Sequence, residues 1–411
     1  MHLSADPMST DAFWVKWHDI HAKAYTRSLP FAGPVATVGG GAYMIMPRIQ
    51  FSHTYNNIIS LENLLEAWSE FIVGKRQRRD AQEFEMSLMG NIITLHNDLV
   101  AKTYTHSPYH AFNISDPKPR NIHKATVRDR LLHHTIYRML YPFFDRTFIA
   151  DSFSCRIGKG THKALNRFRS FAHGVSRNNT RTCWVLKCDI RKFFANIDHD
   201  ILKRIFAAYI PDENILWLLS RVVNSFSSTK SGIGPPSLSG YERAGLPLGN
   251  LTSQLFVNIY MNEFDQFMKH RLKAKCYIRY ADDFVILSHD CDWLMELVPK
   301  IANFLREQLK LELHPNKLFI KTLASGIDFL GWVHFPDHRV LRTATKRRAL
   351  KTTSGMKKQE SMQSYLGLLS HGNAYKIRQR LCHESRTKSR SRPRRESGGP
   401  RRGYFVRDED H

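Results

Sequence analysis

The sequence predicts an α+β fold in which a small antiparallel sheet is backed by helices. Three observations carry that expectation. The stretch CWVLKCDI (183–190) is short, β-prone and almost continuously apolar, as a strand covered on both faces must be. Tyr277–Arg279 and Phe284–Leu287 make two further short apolar strands around Ala281-Asp282-Asp283, which reads as a hairpin with both aspartates at its tip. Elsewhere apolar residues recur every three or four positions, through 60–99, 127–140 and 251–272, which is the period of a helix buried on one face.

The elements follow in chain order. Residues 1–50 carry Trp14 and Trp17 around a short helix-like run and then Gly39-Gly40-Gly41, so they read as an extension. Leu61, Leu64, Leu65 and Trp68, then Phe84, Leu88, Ile92 and Leu95, define two helical runs separated by the charged loop GKRQRRD. A basic run, ISDPKPRNIHKATVRDR, enters a helix whose apolar face holds Leu131, Leu132, Ile136 and Leu140, with Arg130 bracing its start through a salt bridge. The strand 183–190 leads through FFANIDHDILKRIF, a turn into a helix, to a Gly/Ser/Pro-rich loop at 227–240. A long amphipathic helix over 251–272 and the hairpin come next. Beyond Arg339 the charge density climbs, and SRTKSRSRPRRESGGPRR (385–402) has the composition of a disordered basic tail.

Composition bounds the function. With 42% hydrophobic residues among 411 the chain can bury a large core, which excludes wholesale disorder. Lys and Arg exceed Asp and Glu by 61 to 37, a net charge of +24, so the leading partner is a polyanion: nucleic acid first, an anionic membrane surface second. No window approaches the ~18 apolar residues of a membrane span, and the opening MHLSADPMST lacks a secretory layout, so a cytoplasmic location is expected. Cys155, Cys183, Cys188, Cys276, Cys291 and Cys382 form no CxxC pair and are expected as reduced thiols. His133, His134 and the other histidines lack zinc-ligand spacing and read as core or as nucleic-acid contacts.

The chemistry is written in carboxylates. An acidic residue at the end of a buried strand is costly unless it is paired or binds metal. An Asp-Asp dipeptide in a turn is ordinarily just solvated; a second strand that ends in Asp189 makes Asp282-Asp283 part of a set. Three converging carboxylates suit two divalent cations that activate a 3′-hydroxyl and stabilise a leaving pyrophosphate, and Mg²⁺ fits such hard ligands. Phe194, five positions after Asp189, would exclude a ribose 2′-hydroxyl, with core packing the alternative role for one of Phe193 and Phe194. The glycines of GLPLGNLTSQ (245–254) would let backbone approach a base or sugar. Lys118, Arg120, Lys124 and Arg128 are candidates to grip a triphosphate, or else form a solvated basic face.

Together, VRDRLLHH (127–134), CRIGKGTHKA (155–164), KCDIRKFFANIDHDIL (187–202), GLPLGNLTSQLFVNIYMNEFDQF (245–267), YIRYADDFVIL (277–287), ELHPNKLFI (312–320) and GIDFLGWVHFP (326–336) resemble, in order and spacing, the fingers and palm of a reverse transcriptase. The likeness spans about residues 51–380. GKGTHKA and the LPLGNLTSQ form resemble bacterial enzymes of diversity-generating retroelements, with group II intron and retron-type enzymes as neighbours. SYLGLLSHGNAYKIRQRL (364–381) resembles their short helical thumb.

The resemblance implies a right-hand polymerase: an extension at 1–50, fingers and palm over 51–339, a thumb over 340–382 and a basic tail at 383–411. It makes Asp189, Asp282 and Asp283, with the Ile190 backbone, the ligands of two Mg²⁺ ions, for which Mn²⁺ can substitute. Lys317 matches a general acid near the pyrophosphate. Phe194 becomes the sugar gate, the Phe193 backbone a triphosphate support, and Leu248, Gly249 and Gln254 contacts to the nascent pair. Gly331 and Trp332 match a primer-grip turn, and His371 joins them as a primer or template contact. RNA template, DNA or RNA primer, dNTPs and a small basic accessory protein are the implied partners, with no membrane. One departure stands out. Many relatives have Gln where Leu248 stands and Pro where Gln254 stands, and an apolar residue at the first position accompanies miscopying of template adenines. The rivals are an anti-phage defence enzyme, an inactive palm that only binds RNA and, disfavoured by Phe194, an RNA-dependent RNA polymerase.

Overall fold

The strand expected at 183–190 lies in the middle of a sheet, and its neighbours explain its composition. In the computed structural model, which describes residues 49–115, 119–227, 244–354 and 359–379, the described part divides into a unit ending at Leu330 and one starting at Gly331. The first contains, in order, α1 (Tyr55–Ile59), α2 (Leu61–Phe71), α3 (Arg79–Glu85), α4 (Leu88–Val100), β1 (His110–Ile114), β2 (Arg120–Lys124), α5 (Val127–Asp145), α6 (Thr161–Ser176), β3 (Trp184–Asp189), α7 (His199–Tyr209), α8 (Glu213–Asn224), α9 (Leu251–Gln266), β4 (Tyr277–Tyr280), β5 (Asp283–Ser288), α10 (Cys291–Leu309), β6 (Phe319–Thr322) and β7 (Ile327–Phe329).

The palm sheet has the order β4-β5-β3-β6 with every pair antiparallel. Val185, Leu186 and Cys188 of β3 are fully buried, as are Phe284, Val285 and Ile286 of β5. The observed register sets Val185 opposite Leu287, Cys188 opposite Phe284 and Asp189 opposite Asp283. Phe264 of α9 packs on Phe284 at 5.1 Å, on Tyr277 at 6.0 Å and on Phe304 of α10 at 6.1 Å, so two helices back the sheet through one aromatic cluster.

Helical periodicity places the N-terminal helices correctly. Leu64, Ala67, Trp68 and Phe71 of α2 share the core with Leu131, Leu132 and Ile136 of α5. Ser60 and Thr126 cap α2 and α5 by accepting from Asn63 N and Asp129 N. His133 is likewise core, at 1% exposure, and burial pushes its imidazole down to about 3. The described cysteines are free thiols.

Four expectations need correction. The basic run before α5 is no simple lead-in: His110–Ile114 and Arg120–Lys124 pair as β1 and β2, with Phe112 opposite Ile122. Its strands are half exposed and of mixed polarity, so no period-two pattern announces them. Arg130 lies inside α5, though it does brace it, through Asp80 at 2.5 Å. The long helix ends as an α-helix at Gln266 and passes into a π-turn over Phe267–Arg271. Asp283 is not at the hairpin tip but the first residue of β5, paired with Tyr280; the loop is Ala281-Asp282, where Ala281 takes φ +56°. A positive φ at the first of two loop residues is what a type II′ hairpin demands.

The second unit holds β8 (Trp332–His334) paired antiparallel with β9 (Arg339–Leu341), then α11 (Thr343–Ser354) and α12 (Gln359–Leu369). Trp332 is its core, 1% exposed, and its ring lies so close to Gly372 that a Cβ there would come within 2.1 Å of it. The extension at 1–50, except its last two residues, the loop at 227–240, except Ser227, and the basic tail fall outside the described residues.

Candidate active site

The three carboxylates meet where β3 ends and the β4–β5 loop begins. Asp189 and Asp283 are cross-strand partners, and the Asp282 carbonyl accepts from Ile190 N at 3.2 Å. The segment ELHPNK lies along the same strand end. His314 N donates to Asp189 O at 2.8 Å, Arg191 N donates to Glu312 O at 2.9 Å, and Ile190 bridges to Leu313. A 3₁₀ turn at Pro315–Lys317 then brings Lys317 Nζ to 2.9 Å from Asp189 Oδ1.

The electrostatics show how close these groups are. Burial, then the Asp189 charge, raises the Asp282 carboxyl from its ordinary value, while Lys317 and Arg120 pull it down. Burial pushes Asp283 up to about 6, with Asp282 and Asp189 adding repulsion and Lys187 opposing. Lys187 Nζ stands 3.3 Å from Asp283 Oδ2 and 2.7 Å from Asp328 O. Sequence reasoning missed Lys187. The available signal was its place two residues before Asp189, on the same face of β3.

The set suits a divalent cation. Asp283 Oδ1 is buried with no hydrogen-bond donor, and three acidic groups repel one another around it. Among the described residues the side chains as placed do not close into a three-ligand cage around one point. A Mg²⁺ site built from one or two carboxylates and completed by substrate phosphates needs no such cage.

A second missed constellation holds the loop itself. Arg279, fully buried, donates through Nε and Nη2 to the two Asp265 oxygens at 2.8 and 2.6 Å. Its Nη1 donates to the Ala281 carbonyl at 3.2 Å, and Nη2 reaches Ser152 Oγ at 3.2 Å. Tyr277 OH donates to Asp265 Oδ1 at 2.7 Å.

The remaining candidates separate. Arg120 is exposed on β2 and acts on Asp282 through its charge. Lys124 instead pairs with Asp80 at 2.7 Å. Arg128 pairs with Asp98 at 2.5 Å and lies over the Tyr104 ring at 4.9 Å. Lys118 lies outside the described residues. Phe193 is core at 3% exposure, while Phe194 is half-buried and its carbonyl accepts from Leu246 N at 2.8 Å. Leu248 and Gln254 are half-buried, and Gly249 takes φ +99°. In the second unit Gly331 takes φ +84°, and the His371 carbonyl accepts from Arg339 Nε at 2.5 Å. The Trp332 indole is buried.

Among the described residues no helix is long and apolar enough to cross a membrane. The chain is 24% identical over 272 residues to Protein YkfC of Escherichia coli K12, covering 58% of this chain and 68% of that one. It is 24% identical over 299 residues to the group II intron-encoded protein LtrA of Lactococcus lactis, covering 57% of this chain but only 47% of LtrA, so it spans about half the length of that relative. A solved telomerase from Candida albicans aligns with TM-score 0.46 at 12% identity, over 70% of this chain and 55% of its own. The family model for reverse transcriptase (RNA-dependent DNA polymerase) matches residues 114–334, more than half of the chain, from the end of β1 through the carboxylates to β8. On that match, the chain belongs to the reverse transcriptase family.

Proposed function

We propose that the protein copies an RNA template into cDNA by two-metal phosphoryl transfer, with low fidelity at template adenines. The observation that carries the polymerase reading is the convergence of Asp189, Asp282 and Asp283 at one strand end, with a buried carboxylate oxygen lacking any donor. Asp189, Asp282, Asp283 and the Ile190 carbonyl would hold two Mg²⁺ ions, or Mn²⁺ in their place. When bound, those ions activate the primer 3′-hydroxyl and offset charge on the leaving pyrophosphate. Lys317, 2.9 Å from Asp189, would donate a proton to the departing pyrophosphate. Arg120 would bind the triphosphate, and the Phe194 ring would disfavour a 2′-hydroxyl.

The low-fidelity reading rests on Leu248, which cannot hydrogen-bond at the nascent pair and so loosens discrimination there. It supports a role in targeted diversification within a diversity-generating retroelement, with a structured RNA, a small basic accessory protein and a cytoplasmic setting. The likeness to LtrA favours a second reading, an enzyme of a mobile intron.

Primer extension on an adenine-containing RNA, with each dNTP supplied alone, tests both layers. Mg²⁺-dependent extension by the wild type and its loss by about 10²–10³-fold in Asp282→Ala is the expected result, on the scale of removing an electrostatic catalytic group. Equal activity in the two proteins would refute the site. Leu248→Gln should cut misinsertion opposite adenine several-fold; an unchanged error spectrum would remove the diversification reading and leave the intron one.

A further inference from the structure

The loop that carries Leu248 is held from two sides. On one side Gly245 N donates to Ile197 O and Leu246 N to Phe194 O, each at 2.8 Å, and His199 Nε2 lies 2.7 Å from Gly245 O. On the other side stands β2, the strand that carries Arg120. His123 N donates to Leu248 O at 3.1 Å, and Asn250 Nδ2 donates to His123 O at 2.9 Å. Between these two bonds Gly249 sits so tightly that a Cβ would come within 2.9 Å of Ile122 Cγ2.

Asn250 is the unusual member. It occupies the N-cap of α9, where an asparagine ordinarily accepts from the first-turn backbone and contributes about 1 kcal/mol. Here its side chain makes no capping bond and is 3% exposed. Its amide reaches instead to the His123 carbonyl, 127 residues away in sequence. A local stabilising bond has been given up for a tertiary one.

We infer that Asn250 is a positioning residue: with His123 it latches the β1–β2 hairpin to the loop at the nascent base pair, so that Arg120 and Leu248 are held in one frame when a nucleoside triphosphate binds. The inference rests on the polymerase reading for its consequence, but the latch itself does not. The latch couples grip on the phosphates to the position of the base-facing backbone, and its loss weakens nucleotide capture more than turnover.

The N-cap position separates this role from a merely structural one. Asn250→Asp and Asn250→Ser both restore a good helix cap and remove the amide donor. Both variants should melt at or above the wild-type temperature. Both should raise the KM for dNTP about tenfold while kcat changes less than threefold, because a contact that organises binding has been lost. Amide exchange measured by mass spectrometry should quicken at residues 120–124 in both, since the His123 N–H bond to Leu248 O is no longer backed by the Asn250 bond to His123 O. Wild-type KM and wild-type exchange in variants of unchanged melting temperature would overturn the latch. If the wild type extends no primer, the polymerase reading fails instead, and exchange at 120–124 alone decides whether Asn250 holds the hairpin.

Discussion

Glu263 shows how one side chain can carry a pH dependence that has nothing to do with catalysis. It lies on α9 behind the sheet, and burial alone pushes its carboxyl up to about 7. The folded state therefore prefers the proton. Below the unfolded value of 4.5 both states are protonated and the group contributes no pH dependence. From there up to about 7 the unfolded chain ionises first, so stability falls as pH rises; above that the penalty is constant. Glu263→Gln should remove this slope and add about 1–2 kcal/mol at pH 8, with little change at pH 4.5, the full shift setting an upper bound near 3 kcal/mol. Denaturant unfolding of both proteins at pH 4.5, 6 and 8 checks it, and parallel stability curves would refute it.

At the scale of elements, the Arg279–Asp265 pair ties β4 to α9 and to the β4–β5 loop. Both side chains are 0% exposed, and the guanidinium also holds Ser152 Oγ and the Ala281 carbonyl. Breaking one side of a buried pair leaves an uncompensated charge, which costs about 3–5 kcal/mol, whereas replacing both partners by apolar residues is often neutral. Asp265→Asn should therefore lose stability on that scale, while the double variant Asp265→Leu/Arg279→Met recovers most of it yet extends primers poorly, its Ala281 carbonyl no longer held. A single variant with wild-type unfolding would show that the pair ties nothing. The β1–β2 hairpin works oppositely: Phe112 is 40% exposed, so the hairpin's position depends on a few hydrogen bonds to its neighbours rather than on a core of its own.

Across the whole chain, what the sequence made legible tracks what burial forces. The strand at 184–189, the β4–β5 hairpin and the helices at 61–71, 127–145 and 251–266 were readable because apolar side chains there must recur with the period of the element that buries them. The carboxylates were readable because acids inside apolar strands have few other uses. Lys187, His123, Asn250 and the Asp265–Arg279 pair were not readable. Each is defined by a partner between 14 and 141 residues away, and no local pattern encodes such a distance. Arg128 shows the opposite limit. Its residue type fits a phosphate, but only the fold shows Asp98 beside it.

The ladder between β3 and β5 also limits how this family's chains can change length. Asp189 faces Asp283 only because Val185, Leu186 and Cys188 are locked against Leu287, Ile286 and Phe284. One residue inserted between Trp184 and Asp189 would turn every following side chain to the opposite face. The acid would then point away from its partner even though every motif letter survived. An insertion that keeps this pairing must fall in a connection such as the one between β3 and β4, and the spacing from the buried valine to the aspartate behaves as a fixed ruler. A homologue could lengthen its loops freely and still keep that count of four.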